Sequence, residues 1–291
     1  MNKPNLTYLL FEQAAIQYPD SQCVISEDVN LTYSEVKNKV SEISQAIMRH
    51  ASNDNIIGIS TLRGIDQVIN VLAILQTGKA YLPIDFNYPK NRIEKIINNS
   101  KLNFCLTSAS ESNKAKEHGL LTIFENTTPK SLQEQPEMAQ NSAYILYTSG
   151  STGEPKGVCM GQNAAVNLIH WQNKNSNATH GTRTIQFAPL SFDVSFQEIM
   201  STLSTGGTLV LINENLRLDV AALLKLIDKH AVNRLFLPFV ALQALTEAGI
   251  SLDLYPESLN EIMTAGEQLK ITDEVRAFFK RLNNCKLYNQ Y

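Results

Sequence analysis

"SAYILYTSGSTGEPKG", residues 142–157, joins a short apolar run to a loop of glycines, hydroxyl side chains and a proline, with a lysine near its end. The apolar part reads as a buried strand, since a short apolar run bounded by turn signals fits a strand covered on both faces. The loop reads as a phosphate cradle. Gly150 and Gly153 take positive φ at no steric cost, which lets successive backbone N–H groups turn inward into an anion-binding concavity. Thr148, Ser149, Ser151 and Thr152 add hydroxyl donors, and Lys156 adds a point charge. The spacing departs from the GxxxxGK(S/T) nucleotide loop: counting from Gly150, Pro155 stands where the second glycine belongs, and Gly157 follows the lysine. A solvated hairpin tip would use Gly, Ser and Thr equally well. Lys156 between Pro155 and Gly157 favours the phosphate reading.

Outward from this loop, short apolar strands alternate with helical stretches. Upstream, "LTYSEV" gives Thr32 and Glu35 the spacing of a capping box, opening a helix that reaches about Ala51. "NIIGIS", "AYLPID", "NFCLT" and "LLTIF" read as strands, interrupted by helices at "IDQVINVLAILQTG" and "YPKNRIEKIINN". Downstream, "AAVNLIHWQ", "SFQEIMSTL", "VAALLKLIDKHA", "ALQALTEA" and "DEVRAFFKRL" read as helices. Between them lie strands "TIQFAP", "TLVLI", "RLFLPF", "EIMTAGE" and "KLYNQY". This rhythm predicts an α/β fold with two mainly parallel sheets flanked by helices. The polar stretch 125–142 predicts a linker between a first lobe, 1–124, and a second lobe, 143–291, carrying the phosphate loop and substrate pocket.

Composition narrows the function classes. A 291-residue chain that is 43% hydrophobic has the means for a large core. A net charge of −3 with 18% charged residues gives no basis for a nucleic-acid or membrane-surface partner. No apolar run approaches the length of a membrane span, and "MNKPNLTYLLFEQ" lacks the continuous apolar region of a signal peptide. A cytoplasmic protein is expected. Cys23, Cys105, Cys159 and Cys285 are scattered, with no histidine at metal-ligand spacing, and read as small buried hydrophobes; no metal site is expected from them. His170 and Trp171 fall on a helix whose Ala165, Leu168 and Ile169 read as ordinary packing. Gly150-Ser151 lacks the GxSxG context of a hydrolase elbow.

The loop resembles the phosphate-binding signature of the adenylate-forming (AMP-binding) enzymes. "LTYSEV", "LQTGKAYLPIDFNYPKNRI", "FAPLSFDVSFQEI", "IMTAGEQL" and "LYNQY" are similar, in the same order, to other motifs of the nonribosomal peptide synthetase adenylation domains. The resemblance covers essentially the whole chain and implies the N-terminal lobes of that fold. It implies ATP-dependent activation of an amino acid as aminoacyl-adenylate, then transfer to the thiol of a phosphopantetheine arm on a peptidyl carrier protein. By resemblance, Lys156 and Thr148 take catalytic parts. Ser149, Gly150, Ser151, Thr152 and Gly153 join them in holding the phosphates. Ala265 and Gly266 wall the adenine slot, Asn289 bonds the base edge and Tyr291 stacks on it. The glutamate that helps to hold Mg²⁺ in the family, and the small C-terminal domain with its catalytic lysine, would follow Tyr291. The 291 residues are therefore expected to be inactive alone.

Asp193 in "SFDVSF" carries the choice of substrate class. It stands at the start of a helix, where a carboxylate could simply be the N-cap. The resemblance implies instead that it pairs with a substrate ammonium, because amino-acid-activating members carry an aspartate there. Val194, Gln197, Phe236, Met263, Ala265 and Gln290 complete the implied pocket, a medium, mostly apolar cavity with one anion at its rim. That order resembles the signature of proline-activating domains, although Met263 replaces a branched aliphatic and Gln290 replaces a histidine. Both glutamines would need partners if buried. Two other readings stay open: an acyl-CoA synthetase-type ligase, and a truncated, non-catalytic nucleotide-binding module.

Overall fold

The computed structural model describes residues 6–27, 29–123, 135–136, 139, 141–149, 154–282 and 284–290. In chain order its elements begin α1 (Leu6–Gln17), β1 (Gln22–Ile25), β2 (Asn30–Thr32), α2 (Tyr33–His50), β3 (Ile56–Ser60), α3 (Ile65–Gln76), β4 (Ala80–Pro83) and α4 (Lys90–Ser100). They continue with β5 (Phe104–Thr107), α5 (Ser112–Glu117), β6 (Leu121–Thr122), β7 (Ser142–Ser149), β8 (Pro155–Gly161), α6 (Gln162–Lys174), β9 (Arg183–Gln186) and α7 (Asp193–Leu203). The remainder is β10 (Thr208–Leu211), α8 (Glu214–Leu218), α9 (Val220–Lys229), β11 (Arg234–Leu237), α10 (Phe239–Leu252), β12 (Glu261–Thr264), α11 (Asp273–Arg281) and β13 (Lys286–Asn289). Each strand and helix expected from the apolar rhythm is present, and α2 begins directly after Thr32.

Two compact units form. One runs to Gln13 and resumes over Ser34–Leu168; the other comprises Ala14–Tyr33 and the chain from Ile169. The first holds a six-stranded sheet in the order β6-β5-β3-β4-β7-β8, parallel except for the antiparallel pair β7–β8. Its core gathers Ile56, Leu82, Ile93, Ile97, Cys105 and Ile145. The second holds a seven-stranded sheet in the order β13-β12-β11-β9-β10-β1-β2, parallel except for β1–β2. Ile185, Leu224, Leu235, Leu245, Ile262 and Phe278 pack on one of its faces. Strands β3, β10, β11 and β12 are buried along their whole length, which is why they read as short, mainly apolar runs. The α/β class with two mainly parallel sheets is as expected.

The division of the chain differs from the one expected at 125–142. β7 pairs in parallel with β4, Tyr144 opposite Tyr81, so the phosphate hairpin belongs to the first sheet. Conversely β1 leaves the N-terminal lobe to pair with β10, Val24 opposite Leu209. Sheet membership follows which strand offers an open row of N–H and C=O groups, and chain order does not reveal that. Within the expected linker most positions lie outside the described residues. Gln135, which is described, is docked rather than loose: its amide accepts from Ile56 N–H (2.8 Å) and donates to Ile56 C=O (3.1 Å).

All four cysteines are free thiols, and burial raises the pKa of each. Among the described residues no helix is long and apolar enough to cross a membrane.

Candidate active site

The phosphate-loop candidates sit in the first unit. Thr148 and Lys156 are Cα partners across the β7–β8 hairpin, and both side chains are exposed. Directly opposed residues share a face, so hydroxyl and ammonium leave the ribbon together. Ser149 and Pro155 form the last pair before the turn. Gly150, Ser151, Thr152 and Gly153 lie outside the described residues, as does Tyr291.

Helix α4 fastens the hairpin on both sides of that turn. The Tyr147 hydroxyl donates to Asn99 Oδ1 at 2.6 Å, and Lys95 Nζ donates to Glu154 Oε1 at 2.8 Å. Lys95 and Asn99 are four residues apart and so share one helix face. The Tyr147 ring lies across Gly157, where an added Cβ would fall 3.0 Å from its Cζ. The glycine after the lysine thus has a packing reason that sequence reading missed. Burial pushes the Tyr147 phenol up to about 12.

The substrate candidates gather in the second unit, at the C-terminal ends of its parallel strands, where open α/β sheets bind ligands. Phe236 and Met263 are Cα partners in β11 and β12, and Tyr288 of β13 continues the row. Alternate residues share a face, so Ala265 and Gln290 extend it past the strand ends. Phe236 and Met263 are buried; Ala265 and Gln290 are half-buried. Gln290 Nε2 donates to Oε1 of the buried Gln172 at 3.1 Å, which supplies the partner this amide required.

Helix α7 runs antiparallel to these strands. Ser201, near its C-terminus, meets Arg234 at the start of β11 (3.4 Å). Glu198, a turn earlier, sits at the end of β9 and accepts the N–H groups of Phe187 (3.1 Å) and Ala188 (3.0 Å) and the amide of Gln186 (3.1 Å). Asp193, Val194 and Gln197, earlier still, therefore stand toward the strands' C-terminal edge. Asp193 and Gln197 share a helix face by their spacing of four.

Asp193 is exposed and is not the helix cap. Phe192 holds the cap position without a side-chain bond, while Asp193 is the first helical residue and its Oδ1 accepts from Val194 N–H at 2.9 Å. A carboxylate with one such local bond retains acceptor capacity.

Beneath the substrate row lies a pair that sequence reading did not single out. Arg234 and Glu261, the first residues of β11 and β12, are Cα partners with side chains wholly buried, Nε to Oε2 at 3.0 Å. Burial lowers the Arg234 pKa, and Glu261 offsets only part of that shift. The available signal was a charge at the head of each of two mainly apolar strands, which a doubly covered strand tolerates only in a pair.

Of the adenine candidates, Ala265 and Gly266 follow β12. Gly266 is exposed with φ +81°, a left-handed turn that suits glycine. Next to it Glu267 accepts from Val240 N–H at 3.1 Å, tying "TAGEQ" to the first turn of α10. Asn289 is exposed and opposite Thr264. His170 and Trp171 are exposed on α6 while Ala165 and Ile169 are buried, the packing arrangement expected.

The family described as AMP-binding enzyme matches residues 11–291. Gramicidin S synthase 2 of Brevibacillus brevis is 31% identical over 287 residues, 97% of this chain and 6% of that protein. Tyrocidine synthase 1 of Brevibacillus parabrevis is 30% identical over 265 residues, 88% of this chain and 24% of that protein. The chain thus spans a small part of the length of these relatives. Among solved structures, the alpha-methyl-L-serine-AMP bound form of the nonribosomal peptide synthetase FmoA3 shares the fold, with TM-score 0.84 and 22% identity over 98% of this chain and 32% of that one. The N-terminal subdomain of Klebsiella oxytoca NpsA does so too, with TM-score 0.79 and 21% identity over 97% of this chain and 72% of that one.

Proposed function

The chain belongs to the AMP-binding enzyme family, on its peptide-synthetase side, and we propose that it serves ATP-dependent activation of an amino acid, proline, for loading onto a carrier-protein thiol. In this reading a carboxylate oxygen of the amino acid attacks the α-phosphorus of ATP. The bond from that phosphorus to the bridging oxygen breaks, and pyrophosphate leaves with the electron pair. The thiolate of a carrier's phosphopantetheine arm then attacks the acyl carbon and releases AMP.

Such chemistry needs positioning and neutralisation of charge on oxygen more than covalent participation by the protein. Lys156, Thr148 and the loop 149–153 would hold the β- and γ-phosphates. Ala265, Gly266, Asn289 and Tyr291 would hold the adenine. Val194, Gln197, Phe236, Met263, Ala265 and Gln290 would surround the side chain. Mg²⁺ would accompany the triphosphate. Among the described residues no three His, Cys, Asp or Glu side chains come together as a metal cage.

The observation that supports the reading is the exposed Asp193 carboxylate at the start of α7, a helix whose later residues Glu198 and Ser201 bond to the end of β9 and to Arg234 of β11, together with the buried, largely apolar pair Phe236 and Met263. An ammonium seated beside that carboxylate would leave a compact ring against the apolar row. Calorimetry with prolyl-sulfamoyl-adenosine, its des-amino cyclopentanecarbonyl counterpart and AMP tests this. The prolyl compound is expected to bind about 100-fold more tightly than the des-amino compound, the loss expected when one member of a desolvated charge pair is missing. Equal affinity for the two would exclude an amino acid substrate, and preference for another aminoacyl compound would exclude proline alone.

A further inference from the structure

We propose that Arg234 and Glu261 are positioning residues that set the floor of the amino acid side-chain pocket, an inference that rests on the function proposed above. The guanidinium donates to Glu261 Oε2 (3.0 Å), Thr184 Oγ1 (3.3 Å), Ser201 Oγ (3.4 Å) and Ser176 Oγ (3.5 Å). Glu261 Oε1 accepts from Asn177 N–H at 2.7 Å. One buried ion pair therefore fastens together β9, β11, β12, α7 and the segment that follows α6.

Phe236 and Met263 stand two residues further along the same strands as Arg234 and Glu261, on the same face. The guanidinium carbon lies 5.5 Å from the centroid of the Phe236 ring. Any tilt of the pair carries both pocket residues with it. Ser201 links the same guanidinium to α7, the helix that carries Asp193. The pair thus fixes the depth of the pocket relative to the carboxylate at its rim. Stability alone does not account for it, because an apolar pair of similar volume is often at least as stabilising as a buried ion pair. A fork of directed hydrogen bonds supplies orientation that apolar packing lacks.

Arg234→Lys keeps the charge and removes the fork. The readout is calorimetric affinity for three probes: AMP, glycyl-sulfamoyl-adenosine, and whichever side-chain-bearing aminoacyl-sulfamoyl-adenosine the wild type binds most tightly in a panel. For the last, affinity is expected to fall about 10- to 100-fold, the scale of a displacement near 1 Å. Glycine does not reach the floor, so its compound and AMP are expected to stay within about 3-fold of wild type. Should Arg234→Lys not fold, Ser201→Ala and Thr184→Val, which remove hydroxyl partners and leave the ion pair, are read the same way. Unchanged affinity, or an equal loss for glycyl and side-chain-bearing compounds, overturns the positioning role. A wild type that binds AMP but no aminoacyl compound overturns the proposed function itself, and with it this inference.

Discussion

Thr148 and Lys156 stand opposite one another across the β7–β8 hairpin, so one hydroxyl and one ammonium leave the same face of the ribbon at the base of the turn. If this face meets the triphosphate, Lys156→Ala lowers the rate of ATP-dependent adenylation by about 30- to 1000-fold, as loss of a charge-assisted contact to a developing oxyanion does. Thr148→Ala has the smaller effect of the two. The check is pyrophosphate exchange in the full enzyme with the fold verified by circular dichroism; near-normal exchange by a folded Lys156→Ala protein refutes the assignment.

Gly157→Ala brings a methyl group to 3.0 Å from the Tyr147 ring. Overpacking of this kind destabilises by about 1–3 kcal/mol. In a thermal-unfolding double-mutant cycle, Tyr147→Leu should recover part of the loss. Purely additive effects would mean that the ring does not limit the site.

Asp193→Asn distinguishes a rim carboxylate from a helix-end charge. Activation of amino acids is expected to drop about 100-fold or more, because the substrate ammonium loses its partner. Matched acids lacking the amino group should lose far less. Pyrophosphate exchange with proline and cyclopentanecarboxylic acid reads both, and an equal fractional loss would leave Asp193 with a local role only.

Glu261→Gln leaves the Arg234 guanidinium buried beside a neutral amide, a change expected to destabilise the protein by about 3–5 kcal/mol. Replacing both residues by Met should restore much of that stability. Urea denaturation of the single and double variants provides the comparison, and a single variant as stable as wild type would contradict the burial of the pair.

Burial pushes the phenols of Tyr8 and Tyr147 each up to about 12. The unfolded value is near 10, so the folded protein holds these protons more tightly. The resulting stabilisation is present in full below about pH 10 and is lost as pH rises toward 12. Stability of the wild type relative to Tyr147→Phe should therefore narrow across that window. A difference that stays constant with pH would argue that the ring is solvated in the folded state.

The sheets were legible because doubly covered parallel strands such as "TLVL" and "RLFL" announce themselves as apolar runs. β8 was not, since "PKGVCMG" lies half in solvent and carries little apolar signal. Asp193, Val194 and Gln197 at the head of α7, and Phe236, Met263 and Gln290 along the strand ends, were found through resemblance to a family. That Phe236, Met263 and Gln290 share a face follows from register, which the sequence does not display. The partners that hold that face, Gln172, Glu198, Arg234 and Glu261, escaped notice because each owes its importance to a contact distant in sequence. The interleaving of the two units along the chain was hidden for the same reason: a composition shift at 125–142 marks a polar stretch and says nothing of strand pairing.

β1 pairs with β10, and Thr208 Oγ1 donates to Gln22 C=O at 2.8 Å across 186 positions of chain. Chains leave the ribosome N-terminus first, at about 5–20 residues per second, so β1 waits roughly 10–40 s for its partner. Throughout that interval the stretch from β3 to β8 emerges with every strand of its own sheet available to it. Synthesis thus imposes an order of assembly, with the later sheet closing around a segment made well before its partner. Cys23, Val24 and Ile25, buried in the finished protein, stay uncovered until then. A pause before β10 is decoded would lengthen the wait of β1 for its partner strand.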